Sequence, residues 1–407
     1  MQKTKRAQVF AAPDAGIIGS VTLLVIFGLM LVFDASYGKA GDSAHYNYDT
    51  MYFFKKQIYW ASGGAILMYL SSLLNFKFLK CITNASMVVT IFLLVAVLFA
   101  GNEVNGAMRW FKIGPLSIQP AEFAKITVVL YFAKLLTSKR FNFKRMSEQW
   151  IIPILVFMCV CGLVVIEPDL GTAIVIFGAI LSVLFMAGMR KRHFFSLVTI
   201  SLALAAAATF SKPYRIERLK TYLDPWRDPF GSGFQILHSL IALGSGGIFG
   251  VGLCEGREKL YIPAASTDFI FSTFAEEAGM IACFVLLGIF FFINYRGFEI
   301  ARKSKSAYGA LIAVGMTSII SLQALINVGV VSGAIPATGV PLPFISYGGS
   351  SLVTMMTAAG LLLAVSKQIN EEDQDTNEDS NYGRGNGGPH ISGSKRRPSP
   401  SKKTRRR

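Results

Sequence analysis

The chain has 407 residues, a formal net charge of +16, and 52% hydrophobic against 16% charged residues. A soluble domain carries nearer a quarter charged residues. The deficit, with charges gathered between long apolar runs, excludes one large soluble core and points to an all-α polytopic integral membrane protein.

The N-terminus is basic (Lys3, Lys5, Arg6) and leads into a full-length apolar run, so a cleavable signal is not expected. A spanning helix needs about 20 mostly apolar residues. Ten candidates follow in chain order: 15–33, 57–74, 82–100, 119–136, 150–166, 170–188, 194–210, 269–293, 308–331 and 349–366. Several contain Gly or Pro, which membrane helices tolerate. With both termini in the cytoplasm, the inner segments hold 27 Lys and Arg and the outer ones 12. Seven of the outer twelve sit in one long loop, to which the positive-inside rule hardly applies. The expected organisation is a cytoplasmic N-terminus (1–14), a ten-helix membrane domain (15–366) with a large outer loop (211–268) between helices 7 and 8, and a cytoplasmic tail (367–407).

The outer segments hold the unusual residues. "NEVNGAMRWFKIGPLSIQPAEFAK" (102–125) reads as a loop running into a span. Arg109 and Trp110 lie in the loop, where Trp is commonly an interfacial anchor. Gln119, Glu122 and Lys125 follow at spacings of three and form a polar stripe around Pro120. Glu122 and Lys125 either neutralise each other or line a cavity. In "EPDLGT", Asp169 can cap the next helix or face a site. The long loop begins with a basic amphipathic piece (Arg215, Arg218 and Lys220 among Ile216, Leu219 and Leu223) suited to the membrane interface. Glycines 244, 246, 247, 250 and 252 allow close packing or tight turns. They do not form a phosphate-binding loop, since neither a strand nor a P-loop lysine accompanies them.

"YIPAASTDFIFSTFAEEAG" (261–279) poses the sharpest question, because three carboxylates enter an apolar helix. Ser266 or Thr267 can cap this helix, which places Asp268 in its first turn, where the dipole favours a negative charge. Against apolar Phe269, Ile270 and Phe271, the same carboxylate could be partly desolvated and act as a general base. Glu276 and Glu277 lie deeper and are expected to pair in a structural polar network.

Cys81, Cys159, Cys161, Cys254 and Cys283 show no zinc-ligand spacing, so neither a zinc site nor a disulfide framework is expected. The tail, with "EEDQDTNED" and "KRRPSPSKKTRRR", reads as disordered. Its basic end suits anionic membrane lipid, or no partner at all, rather than nucleic acid.

These stretches resemble the SEDS family, the FtsW/RodA-type glycosyltransferases of bacterial peptidoglycan. "GAMRWFKIGPLSIQPAEFAK", "EPDLGTA", "DPWRDPFGSGFQILHSLIALGSGG", "STDFIFSTFAEEAG" and "GVPLPFISYGGSSL" are similar to five motifs in the family's order, up to about residue 368. The wording is more like the division member than the elongation member. The resemblance implies ten membrane helices, lipid II as substrate and glycan polymerisation on the outer face, with a class B penicillin-binding protein (a transpeptidase) and other division proteins as partners at the septum of the cytoplasmic membrane. It implies Asp268 as the catalytic residue, and Arg109, Trp110, Glu122, Lys125, Asp169, Gln235 and Ser239 as substrate-binding residues. Two departures stand near the site: the family's Glu and His/Gln before the aspartate are Ala264 and Ser266, and its Gln-Ser is His238-Ser239.

A polyprenyl pyrophosphate leaves readily, so it needs positive charge rather than a protonating acid. One carboxylate then suffices, where glycosidases generally use two. A divalent cation, Mg or Mn, could accompany the pyrophosphate on oxygen ligands; no organic cofactor is expected. A flippase of lipid-linked precursor is the rival reading. The outer-face bias of the polar residues and the lack of an internal repeat tell against it.

Overall fold

The computed structural model describes residues 12–41, 44, 48–104, 107–114, 116–138, 151–210 and 213–385. Long helices stand where spans are expected: α1 (Ala15–Gly41), α2 (Tyr52–Ser72), α3 (Phe76–Ala100), α4 (Pro120–Leu136), α5 (Ile151–Ile166), α6 (Leu170–Met186) and α7 (Lys191–Phe210). After two shorter helices, α8 (Pro213–Leu223) and α9 (Phe234–Ser245), come α10 (Ile270–Lys303), α11 (Ala307–Val331) and α12 (Gly349–Gly385). Five of these are long and apolar enough to cross a bilayer: α1, α3, α10, α11 and the Gly349–Asn370 part of α12. The protein is a polytopic helical membrane protein.

Helix α11 and the Gly349–Asn370 part of α12 are mainly apolar and largely covered by protein, as helices at the centre of a bundle must be. Around them α2 lies along α12, and α10 and α6 pack on α11. The outer helices leave Phe92, Phe99, Phe284 and Phe291 exposed, which suits acyl chains as solvent.

Two expectations need correction. Residues 102–118 are not a plain loop but carry a small sheet on an otherwise helical fold. Strands β1 (Asn102–Val104), β2 (Ala107–Ile113) and β3 (Leu116–Ile118) form an antiparallel sheet in the order β1-β2-β3, pairing Asn102 with Trp110 and Phe111 with Ile118. The turn at Gly114 has φ +61°, which glycine adopts freely. At the other end of the chain the α12 backbone is helical to Gly385. Residues 386–407 lie outside the described residues. Finally, neither Ser266 nor Thr267 caps α10. That helix starts at Ile270 without a side-chain cap, so Asp268 stands just before it rather than in its first turn.

Helix α10 is broken at Gly279, whose φ of 76° and ψ of −178° are essentially restricted to glycine. The segment after α9 fills the gap. Val251 and Gly252 donate their N–H groups to the carbonyls of Glu276 and Glu277, and Met280 and Ile281 donate to Gly247 and Ile248. In apolar surroundings these groups have no water to turn to. Contact this close requires glycine: a Cβ on Gly250 would lie 2.0 Å from the Glu277 carbonyl oxygen, and one on Gly279 2.2 Å from the Gly250 nitrogen.

Gly279→Ala should therefore lower the thermal midpoint of detergent-solubilised protein strongly, since strain of this kind costs about 1–3 kcal/mol before any clash is counted. Gly288→Ala is the control, because nothing lies within 4 Å of its added Cβ. It should be neutral or stabilising by up to about 1 kcal/mol. Equal midpoints for the two variants would show that the break is not a constraint.

Candidate active site

Asp268 is half-buried at the end of the long loop. Its backbone is held by the segment between α11 and α12. Tyr347 donates its N–H to the Ser266 carbonyl at 2.8 Å, and the Ser346 hydroxyl donates to the Thr267 carbonyl at 2.6 Å. The same segment is held from other sides. Arg218 of α8 donates to the Ala337 carbonyl at 3.1 Å, Gln323 of α11 to the Pro341 carbonyl at 3.0 Å, and Gln57 of α2 to the Ser346 carbonyl at 3.1 Å. Gly339, with φ 76°, comes so near the carboxylate that an added Cβ would lie 3.6 Å from Asp268 Oδ2.

Charge converges on Asp268 from three elements. Burial pushes its pKa up from 3.8 to about 6, with Arg218 opposing, Asp169 adding to the rise and Arg109 opposing. Arg109, on β2, is fixed by donating to the carbonyls of Glu167 at 2.7 Å and of Pro168 at 2.5 Å. Asp169 caps α6 by accepting from the Thr172 N–H at 3.0 Å, and also accepts from Gln119 Nε2 at 2.8 Å. Its capping role is thus real, and it nevertheless stands within electrostatic reach of Asp268. Glu167 beside it is fully buried; burial first, then Asp169, raises its pKa to about 8 against Arg109.

Other expected site residues lie apart. Lys125 is 1% exposed and donates to Glu122 at 2.8 Å and to Gln323 at 2.7 Å. It reaches the 337–347 segment only through Gln323. Trp110 is half-buried on β2, next to Arg109. Ser239 is fully buried and donates to the Val331 carbonyl at 2.9 Å, which pins α9 to the end of α11; Gln235, one turn earlier, is half-buried.

Glu276 and Glu277 are buried and hold the outer loop. Glu276 accepts the N–H groups of Arg257 and Glu258, and Glu277 those of Cys254 and Gly256. Glu277 also accepts from Lys259 Nζ at 2.6 Å, and the same lysine donates to Asp34 of α1 at 2.6 Å. They are a polar network, with loop backbone as the main partner.

Sequence reading passed over Gln323 and Asn327. Both are polar in an otherwise apolar span, at i,i+4 spacing on one face of α11. Arg218 it took only as part of an interfacial helix.

Residues 15–371 match the family of cell cycle proteins comprising FtsW, RodA and SpoVE. This chain belongs to that family. Relatives of the FtsW/RodA/SpoVE family include stage V sporulation protein E of Bacillus subtilis (strain 168), 40% identical over 360 residues covering 88% of this chain and 97% of the relative. The probable peptidoglycan glycosyltransferase FtsW of Buchnera aphidicola subsp. Schizaphis graminum (strain Sg) is 38% identical over 326 residues, 79% of this chain and 92% of the relative. Among solved structures, one of a peptidoglycan synthase complex, described as coordinating polymerization and crosslinking, aligns with TM-score 0.73 at 30% identity, covering 88% of this chain and 98% of that one. The crystal structure of Thermus thermophilus rod shape determining protein RodA aligns with TM-score 0.65 at 28% identity, covering 88% and 97%. Like the family, the chain is a glycosyltransferase of peptidoglycan synthesis and a multi-pass protein of the bacterial inner membrane.

Two predictions come from this geometry. A base must be ionised to act, so kcat/KM for glycan polymerisation should fall about tenfold per pH unit below about pH 6, not below about pH 4. Arg218→Ala removes the largest opposing charge and should move that limb to higher pH. The same raised pKa means that Asp268 favours folding at pH below 3.8 and loses that contribution as pH rises through about 6. An acid limb near the ordinary aspartate value would contradict the assignment.

The second concerns Lys125. Its contacts make it the counter-charge of Glu122, and breaking such a buried pair costs about 3–5 kcal/mol. Lys125→Ala should lower the thermal midpoint, with partial recovery of midpoint and activity in Lys125→Ala/Glu122→Gln. Absence of recovery, with an undisturbed midpoint, would place Lys125 on the substrate instead.

Proposed function

We propose that this glycosyltransferase polymerises lipid II on the outer face of the membrane with Asp268 as general base. The observation that carries the reading is a half-buried carboxylate with a raised pKa, within electrostatic reach of Arg218 and Arg109. Asp268 takes the proton from the acceptor sugar hydroxyl as that oxygen attacks the anomeric carbon of the donor glycan. The bond to the polyprenyl pyrophosphate breaks, and configuration at that carbon inverts. Arg109 and Arg218 offset the negative charge that grows on the departing pyrophosphate, with no acid required.

Among the described residues no three Asp, Glu, His or Cys side chains converge as a metal-binding cluster. A Mg or Mn ion serving this reaction would rest mainly on phosphate oxygens, and no step is routed through one.

The topology that suits this chemistry has ten spans, α1 to α7 and α10 to α12, with both termini in the cytoplasm. Asp268, Arg109 and Asp169 then share the outer side. Septal synthesis beside a class B penicillin-binding protein is the setting in which such a polymerase would act. The prevalence of relatives named FtsW supports it, as does the complex that couples polymerization with crosslinking.

The test is polymerisation of lipid II by purified, detergent-solubilised protein with no other polymerase present. Asp268→Asn keeps the side chain's size and removes the base, so the rate should drop by roughly 10²–10⁴ while folding and lipid II binding persist. A variant retaining more than about a tenth of the rate, far short of a general-base loss, would remove Asp268 from the role. A wild-type protein that moves lipid II across vesicles without polymerising it would be a flippase.

A further inference from the structure

Asn327 lies on α11 one turn from Gln323 and is 1% exposed. Its Nδ2 donates twice, at 2.8 Å to the Asp268 carbonyl and at 2.8 Å to the Val340 carbonyl. Two carbonyl acceptors fix which way the amide points, because its oxygen in that place would face two oxygens. The opposite atom, Oδ1, is buried and has no hydrogen-bond partner. A buried acceptor left unpaired carries a desolvation penalty that an apolar side chain would not. Simple packing therefore does not account for an asparagine here.

What the amide achieves is a junction. It joins three separate pieces of chain: α11, the residue that carries the base, and the 337–347 segment. Gly339, next to Val340, comes close to the carboxylate: an added Cβ there would lie 3.6 Å from Asp268 Oδ2. Ser346 ties the same two pieces from the other side, donating to the Thr267 carbonyl and accepting the Leu342 N–H at 2.8 Å. Since α10 begins only at Ile270 and without a side-chain cap, the helix does not itself fix Asp268.

We infer that Asn327 is a positioning residue for glycosyl transfer, holding the Asp268 backbone against the 337–347 segment so that the carboxylate stays aimed at the acceptor hydroxyl. The inference rests on Asp268 being the base. Asn327 does not touch substrate, and its effect passes wholly through Asp268. It should govern the chemical step rather than lipid II binding.

A double-mutant cycle on the full-length protein tests this, with lipid II polymerisation as readout. Asn327→Ala should lower kcat by about tenfold to a hundredfold, the range for a misplaced catalytic group, while KM changes little. In the Asp268→Asn background the same substitution should cost nothing further. A purely structural asparagine would cost the same factor in both backgrounds, and that result overturns the inference, as does an Asn327→Ala protein with undiminished kcat. If Asn327→Ala does not fold, Asn327→Ser, which keeps a hydroxyl donor, is read through the same cycle. An active Asp268→Asn protein would remove the base assignment alone; the Asn327 inference is judged separately by whether kcat falls and whether the fall depends on Asp268.

Discussion

The break in α10 at Gly279 is the constraint on which the outer half of the molecule depends. A helix interrupted inside a bilayer leaves N–H and C=O groups that lipid cannot satisfy. Here the carbonyls of Glu276 and Glu277 and the N–H groups of Met280 and Ile281 are taken up by 247–252. The glycine-rich stretch is thus the missing side of a hydrogen-bond ladder. Gly246 and Gly250 are required there because the two backbones approach to distances at which a Cβ would collide. Once the stretch is locked in, Glu276 and Glu277 face the chain that leaves it and bind residues 254–259. The outer loop is held from within the bundle, and α10 is free to end short of Asp268.

Ending the helix there has a chemical consequence. An aspartate in a first helical turn would have the helix dipole and unpaired N–H groups to stabilise its charge, which lowers its basicity. Placed before the helix and half-buried, Asp268 is instead made more basic by desolvation, with its pKa raised to about 6. Its ionised state is kept within reach by Arg218 and Arg109, the same groups suited to a pyrophosphate. On the proposed mechanism, one electrostatic arrangement would both tune the base and receive the leaving group. The cost is that the backbone of Asp268 must be fixed by something other than its own helix, and Asn327, Ser346 and Tyr347 supply those contacts.

Sequence reading found the helices because apolar runs of about 20 residues are a strong signal. It singled out Asp268 because a carboxylate against Phe269, Ile270 and Phe271 is anomalous. It missed the sheet, although the Gly-Pro pair at 114–115 between "RWFKI" and "LSI" is a turn signal. The polar residues around it suggested a loop lining a cavity. Gln323 and Asn327 were illegible for a different reason. Uncharged amides are tolerated in a span, and their importance lies in partners 13 to 198 residues away, which no local pattern encodes. The break at Gly279 was hidden likewise, since a lone glycine in a membrane helix is ordinary until another backbone is found against it. Lys125 shows the converse case. Its i,i+3 spacing from Glu122 already held the contact that the structure contains.

Helix α1 explains how a broken α10 still behaves as one element. Asp14, the N-cap of α1, accepts from both Nε and an Nη of Arg296 in the inner half of α10. Twenty residues on, Asp34 shares Lys259 with Glu277 of the outer half. Twenty helical residues rise about 30 Å, close to what α10 would rise over the comparable interval from Glu277 to Arg296. Phe27 of α1 also meets Phe274 of α10 edge-on at 5.1 Å. An unbroken helix is thus fastened at both ends to the two halves of a broken one. The Lys259 clasp is mostly buried, so its charges are less screened than surface pairs, whereas at the other clasp Arg296 is partly exposed. Each clasp also removes a carboxylate that would otherwise be stranded in the bundle. The hinge that a break would normally create is splinted by α1, and the outer half-helix that leads up to Asp268 is kept in register with the rest of the bundle.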